Sequence, residues 1–414
     1  MRERLTNWAG NIVFGTDEVH RPKSVAEVQE VVAAATGRLR VLGSGHSFNR
    51  LADTTGALLS LAELPRTVEI GPDRSSVRVD GGLRYGDLAT PLNDAGLAVH
   101  NLASLPHISV AGAVATATHG SGVRNGNLAT AVSGCEIVRA DGELVTLTRA
   151  DAELAGAVVG LGALGVVTAL TLDVSPAFDL RQYVYENLPA AALHDALDEI
   201  LADGYSVSLF TRWTGPGVDQ IWLKRHDPMP AGDFHGATLA DGPRHPVPGM
   251  PAENCTEQGG VPGPWHARLP HFRMEFTPSS GEELQSEWHV PREHARAAIE
   301  AVGELRERVA AVLQVCEMRT IAADQLWLSP NYQRDSLALH FTWIADTEAV
   351  LPVVADVEKA LAPFAARPHW GKIFTTAQAD LRAAYPRFGD FAELVRRFDP
   401  KGTFRNDWLD RFLG

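Results

Sequence analysis

The chain has 414 residues, 45% of them apolar, which is too long for one ordinary core and too apolar for a disordered chain, so two domains or three lobes are expected. A formal charge of −14, from 37 basic and 51 acidic residues without any basic stripe, disfavours nucleic acid or an anionic membrane surface as partner. Cys135, Cys255 and Cys316 are odd in number and far apart, which excludes a full disulfide framework or a Cys-x-x-Cys metal site and reads as packed thiols in a reduced, cytoplasmic protein.

"MRERLTNWAG" carries charge with no apolar stretch behind it, so no signal peptide is expected. "RPKSVAEVQEVVAAA" predicts a helix: Ser24 and Glu27 form a capping box, and Val25, Val28, Val31 and Val32 mark one apolar stripe. "RLRVLG" predicts a strand entering the loop "GSGHSF", whose bare backbone N–H groups can close on an anion. "SVRVDGGLRYGDLATPLNDAG" reads as strand, glycine turn and helix. "ISVAGAVATATHGSG" is rich in small residues, as backbone packed closely against something would be. "CEIVRADGELVTLT" is a hairpin with an Asp-Gly turn. Ala155–Leu172 is uncharged over eighteen residues, the lower limit for a membrane span, but four glycines break it and it ends in β-branched alternation. It reads as a buried loop and strand.

Beyond Val174 the character changes. "LPAAALHDALDEILADG" is an amphipathic helix, and "YSVSLFTRW" and "QIWLKRH" alternate like strands. Residues 226–270 are rich in Pro, Gly and His, a long irregular segment of the kind that often covers a site. "PREHARAAIEAVGELRERVAAVL" predicts one long helix, "LQVCEMRTIA" and "SLALHFTWIA" two strands, and "DTEAVLPVVADVEKALAPF" a helix leading to "PHWGKIF".

In the two strands, Glu317 and Arg319 share a face, and so do His340 and Thr342, opposite Leu337, Leu339, Phe341 and Trp343. Such faces are either hydrogen-bonding walls of a site or a cross-strand salt bridge facing solvent. Lys372, between aromatic and apolar residues, either snorkels to water or sits where its pKa falls. His46 by itself reads as a structural loop histidine. Gly43 and Gly45 are not followed by the third glycine of a Rossmann fingerprint, and "GSGHS" and "THGSG" lack the spacing of a hydrolase elbow. His46, His100, His107 and His119 show no metal-type spacing, so no metal is expected.

Taken together, "NWAGN", "VLGSGHSFN", "NLASLPHISVAGAVATATHGSG", "LGALGVVT", "HPVPGMPAENCTEQGGVPGPWHARLPHFRMEFTPSSGEELQSEW", "ARPHWGKIF" and the tail "FDPKGTFRN" resemble the covalent-flavin oxidases of the vanillyl-alcohol oxidase type, and within them the alditol oxidases. The resemblance implies an α+β fold: a two-subdomain FAD-binding domain of the PCMH type over 1–175, a substrate-binding cap domain over 176–365 with a large antiparallel sheet flanked by helices, and a segment 366–414 returning to the FAD domain and active site. It implies FAD attached through His46. The loop Gly43, Ser44, Gly45, His46 and Ser47 would hold the pyrophosphate. Ser104, Ser109, Gly112, Thr118, His119, Gly120 and Gly122 would line the same cofactor, and Gly162, Gly165 and Val167 its adenosine end. No Arg or Lys cluster is evident to balance the phosphates, so backbone dipoles are expected to do much of it.

The resemblance further implies a polyol site of Ser104, Glu317, Arg319, His340, Thr342 and Lys372. Lys372 is the implied base with His340 beside it, and Glu317 and Arg319 would hold the reacting C1–C2 hydroxyls. The terminal hydroxyl of xylitol, sorbitol or a similar alditol would be oxidised to the aldose, with O2 as acceptor giving H2O2, in a monomer. An aldonolactone oxidase or dehydrogenase of the same fold is the alternative. A non-catalytic sugar-binding protein would lack flavin, and a nicotinamide-dependent dehydrogenase needs a Rossmann unit that this chain does not supply.

Overall fold

The computed structural model describes residues 4–229, 233–276 and 282–414. Residues 1–3 of "MRERLTNWAG", 230–232 of the irregular segment and 277–281 of the "HPVPG…QSEW" segment lie outside the described residues.

The Ser24 side chain accepts a hydrogen bond from Glu27 N, and the Glu27 carboxylate reaches back to Lys23 N at 2.8 Å, so the capping box starts a helix over Val25–Ala34. Its Val28 and Val32 bury against Leu39, Leu59, Val138, Val166 and Phe404. Strand Leu39–Leu42 pairs in parallel with Ala57–Ser60, which also pairs with Val19–His20. A second, antiparallel sheet runs Val68–Ile70, Ser76–Asp80, Val166–Asp173, Val132–Val138, Leu144–Thr148. Its last two strands are the Asp-Gly hairpin. The uncharged stretch resolves into a helical turn at Leu154–Ala157, a glycine loop and the central strand Val166–Asp173. The small-residue segment that the sequence leaves unclassed forms a short helix, Val110–Ala115, followed by a turn at Thr116–Ala117 and irregular chain.

The other large unit is a nine-stranded antiparallel sheet. Its centre runs Val218–Arg225, Ser206–Thr211, Leu313–Ile321, Ser336–Ile344, Glu283–Pro291. Helices Ala190–Ala202, Ala295–Gly303 and Thr347–Leu361 bury their apolar stripes with Leu337, Leu339, Phe341 and Trp343. The opposite, polar face of the sheet is left to meet the N-terminal part of the chain.

The single long helix expected over 291–313 is broken. A short 3-10 turn, Arg292–His294, precedes helix Ala295–Gly303, and a separate helix covers Arg306–Ala310. Gly303 propagates a helix poorly, and Arg306 Nε caps its freed carbonyl at 2.9 Å. The turn re-phases the chain so that Val309 still reaches the core.

C-terminal helices Gln378–Ala384, Phe388–Phe398 and Asp407–Leu413 pack Leu381, Phe391, Leu394 and Phe412 into the same core as Val77, Leu88 and Leu170. Trp265 and Leu328, from inside 176–365, join that core too. The three cysteines are free and buried. Among the described residues no helix is long and apolar enough to cross a membrane.

Candidate active site

Between the N-terminal sheets and the polar face of the large sheet lies one cavity of about 740 Å³. One part is a cradle of glycine loops. Asn7 Nδ2 donates to Ser47 O at 2.9 Å and Asn11 Nδ2 to Phe48 O at 3.0 Å, so "NWAGN" pins the His46 loop from outside. Asn49 Nδ2 donates to Trp370 O and Lys372 O at 2.8 and 2.7 Å, which ties that loop to "HWGK".

His46 donates from Nδ1 to Ser44 O at 3.0 Å and stacks on Trp8 at 4.9 Å. Its Nε2 is buried, has no partner and belongs to a residue lining the cavity. Burial, reinforced by Lys372, pushes the imidazole down to about 4, so it is neutral at pH 7 and Nε2 carries a free lone pair. Ser109 Oγ is likewise buried and unpartnered. A methyl group on Gly43 or on Gly112 would lie 2.6 Å from that oxygen. Gly165, at φ +139°, allows the Val138 carbonyl within 2.3 Å of where a Cβ would sit.

Of the expected cofactor residues, Gly43, Ser44, Gly45, His46, Ser47, Ser104, Ser109, Gly112, Thr118, His119, Gly162, Gly165 and Val167 line the cavity. Gly120 and Gly122 are not among the residues lining it. A Cβ on Gly120 would meet Asn101 Oδ1 and Leu102 O, and one on Gly122 would meet Asn125 and Tyr205 O, so these glycines serve packing. Arg40 and Arg84 also line the cavity, beside the backbone dipoles expected to do much of the phosphate balancing. Arg40 spends its guanidinium on the carbonyls of Leu51, Leu161, Gly162 and Phe404 at 2.6–2.9 Å, which fastens the C-terminal tail to the glycine loop.

The other part of the cavity is walled by the large sheet. Its register sets Phe210, Glu317, His340 and Glu287 in one row across four strands, with Thr342 opposite Gln285 in a neighbouring row. Glu317, Arg319, His340 and Thr342 are each less than a tenth exposed. The salt bridge anticipated for an open face therefore exists inside a buried wall. Arg319 lies 3.1 Å from Glu287 Oε1, 3.5 Å from Glu317 Oε2 and 3.3 Å from Ser104 Oγ. Burial works to raise the Glu317 carboxyl, but Arg319 and His271 outweigh it and hold it well below the usual carboxylate range. His340 donates from Nδ1 to Glu287 Oε2 at 3.0 Å, and Thr342 Oγ1 lies 3.4 Å from His340 Nε2. Lys372 does not snorkel. Its Nζ donates to Gln285 Oε1 and sits over the Phe48 ring at 4.8 Å; burial pulls it down to about 8 against the pull of Glu287 and Glu283.

All six residues expected to hold substrate thus meet at one end of the cavity. The sequence reading missed Gln285 and Glu287, although "ELQSEWHVP" alternates and places Glu283, Gln285, Glu287 and His289 on one face. It also missed His271, whose Nε2 donates to Glu317 Oε1 at 2.8 Å while its Nδ1 faces Lys224 Nζ at 3.3 Å. No periodicity marks His271, which closes an irregular segment. That segment also supplies His245, Val247, Met250 and Asn254 to the cavity lining.

Of the four histidines that show no metal-type spacing, His119 lies beside two residues from the large sheet: His119, Glu287 and His289 each offer a ligand atom within 4.8 Å of the others. Glu287 already accepts from His119 at 2.8 Å, Arg319 at 3.1 Å and His340 at 3.0 Å. Glu287 is thus the centre of a hydrogen-bonded network with His119, Arg319 and His340, and a divalent cation there would face Arg319.

A glycine-lined cradle with two orphaned polar atoms, opening on a buried polar wall, fits FAD beside a small hydroxylated molecule. The FAD binding domain family matches residues 16–148, and the D-arabinono-1,4-lactone oxidase family residues 280–412. The fold resembles that of cholesterol oxidase from B. sterolicum, with a TM-score of 0.81 over 99% of this chain and 96% of that one at 16% identity. These define an FAD-dependent oxidoreductase of the vanillyl-alcohol oxidase type. The chain is 54% identical to an alditol oxidase of a Streptomyces species over the full length of both. It is 32% identical to an L-gulono-1,4-lactone dehydrogenase of Mycobacterium tuberculosis and 26% identical to the L-gulonolactone oxidase of Mus musculus, each over 99% of this chain and 98–99% of the relative. The chain belongs to the alditol oxidase family of these flavoenzymes.

Proposed function

We propose that the protein oxidises the terminal C1 hydroxyl of alditols such as xylitol and sorbitol to the aldose. FAD, which the Gly43–Ser47 loop, Ser109 and Gly112 would hold, would supply the hydride acceptor and a route for the electrons to O2, giving H2O2. The observation that carries the reading is the convergence on one cavity of Glu317, Arg319, His340 and Thr342 from a buried sheet wall with Ser104 and Lys372 from the facing loops. A polyol has neither charge nor aromatic surface, so only fixed donors and acceptors can hold it, and each pairing rejects analogues that lack the hydroxyl. Arg319 donates and Glu317 accepts at the C1–C2 hydroxyls; Ser104 and Thr342 serve hydroxyls further along. Lys372 and His340 assist removal of the C1 hydroxyl proton. His46 attaches the flavin, its neutral and unpartnered Nε2 being the nucleophile available.

The match of residues 280–412 to the lactone oxidase family favours a second reading, oxidation of an aldonolactone. Anaerobic bleaching of the flavin by xylitol, sorbitol and a galactonolactone separates the two. Rapid bleaching by the polyols with H2O2 release in air is expected, and bleaching by the lactone alone overturns the alditol reading.

A further inference from the structure

Glu287 carries no role in the reading above, yet it sits at the centre of the wall. It is 2% exposed, on the Glu283–Pro291 strand, directly across from His340 in the register. Its Oε1 accepts from His119 Nε2 at 2.8 Å and Arg319 Nη2 at 3.1 Å, and its Oε2 faces His340 Nδ1 at 3.0 Å. Burial works to raise the carboxyl, but His119, His340 and Arg319 hold it well below its ordinary range, so it is an acceptor only. A carboxylate oxygen at 3.0 Å requires the proton on His340 Nδ1. The other nitrogen, Nε2, must then be the lone pair, and Thr342 Oγ1 at 3.4 Å is placed to donate to it.

We infer that Glu287 is a positioning residue that locks His340 in the Nδ1–H tautomer and so makes His340 Nε2 the proton acceptor of the His340–Lys372 pair. The inference rests on the alcohol-oxidation reading above. The hydroxyl proton passes to His340 Nε2 and yields an imidazolium whose Nδ1–H faces a fixed anion. The electron pair of the C–H bond leaves as hydride to FAD, so oxygen and carbon lose one proton and one hydride in total. Lys372 stays an ammonium below about pH 8 and faces the developing alkoxide as a cation, which explains why burial need not strip it of its proton for the reaction to run. The charged groups acting on His340 are Glu287, Lys372 and Arg319. Glu317 and His369 also lie within its field.

Two measurements test this. In the wild-type holoenzyme, neutron crystallography near pH 7 is expected to show a deuteron on His340 Nδ1 and none on Nε2. A deuteron on Nε2 overturns the inference whatever the substrate and whether or not any variant folds. In stopped-flow reduction by xylitol, Glu287→Gln is expected to slow flavin reduction about 100-fold, because an amide no longer enforces the tautomer or balances the imidazolium. Its ascending pH limb moves to lower pH, since Glu287 raises the His340 value. In a His340→Ala background the same substitution is expected to change the rate less than about threefold. Equal losses in both backgrounds show that Glu287 acts elsewhere and overturn the inference. Failure of every polyol to reduce the flavin defeats the alditol reading and leaves the tautomer result to stand or fall by itself.

Discussion

Lys372→Met separates two consequences of burying a cation. The fall from the ordinary 10.5 to about 8 corresponds to about 3 kcal/mol by which the fold disfavours the ammonium. The folded value lies below the unfolded one, so between about pH 8 and 10.5 the unfolded chain binds the extra proton. This group's contribution to stability is therefore lowest below pH 8 and rises as pH climbs through that window. Methionine is of similar length and uncharged, and it relieves the burial. It also leaves Gln285 Oε1 without its donor, at about 1–3 kcal/mol. A net stabilisation of about 1–2 kcal/mol is expected at pH 7, smaller by about 2 kcal/mol at pH 9.5. Flavin reduction by xylitol is expected to fall about 10²–10⁴-fold with the cofactor still bound. Urea unfolding at the two pH values and anaerobic stopped-flow reduction measure both effects. A variant destabilised equally at both pH values refutes the buried-cation argument, and near-normal reduction refutes the role of Lys372 in the chemistry.

His46→Ala is expected to release the flavin on acid precipitation, whereas the wild-type pellet stays yellow; flavin retained in that variant's pellet places the attachment elsewhere. Arg319→Met leaves Glu287 and Glu317 facing the cavity without their guanidinium, which is expected to cost about 3–5 kcal/mol and to abolish saturation by polyols. Because both carboxyls are held below their ordinary 4.5 in the wild type, that deficit is full from pH 8 to pH 5 and shrinks only as pH falls below about 4.5; urea unfolding at pH 6 and pH 3.5 checks it. Gly165→Ala drives a methyl group into the Val138 carbonyl at 2.3 Å and strains a φ of +139°, an expected loss of about 2–5 kcal/mol with reduced FAD content. Gly389→Ala, at an exposed position of helix Phe388–Phe398 with nothing within 4 Å of the new carbon, is the control and gains about 0.5–1 kcal/mol in thermal unfolding.

Period-two alternation by itself placed Glu317 with Arg319, and His340 with Thr342, on the polar faces of their strands. Local chemistry likewise determined the capping box at Ser24, the Asp-Gly hairpin and the strand hidden in the uncharged stretch. It also left true alternatives, because a strand face says nothing about what covers it. Only the tertiary structure buried that face against the glycine loops and turned an ion pair of uncertain exposure into a cavity wall. Glu287 and Gln285 alternate as clearly as Glu317 does, but their importance comes from register: they lie opposite His340 and Thr342 on the neighbouring strand, and which strand is the neighbour is a long-range choice. Gly120 and Gly122 look the same in sequence as Gly112, yet they face Leu102 and Tyr205 carbonyls instead of the cavity. His271 and Lys224 have no sequence signal because their contact joins an irregular segment to the sheet. The sequence thus determined which side chains share a face, through the fixed geometry of one strand. Packing decided which faces meet, and with that the burial and charge partners that set the state of His46, His340 and Lys372.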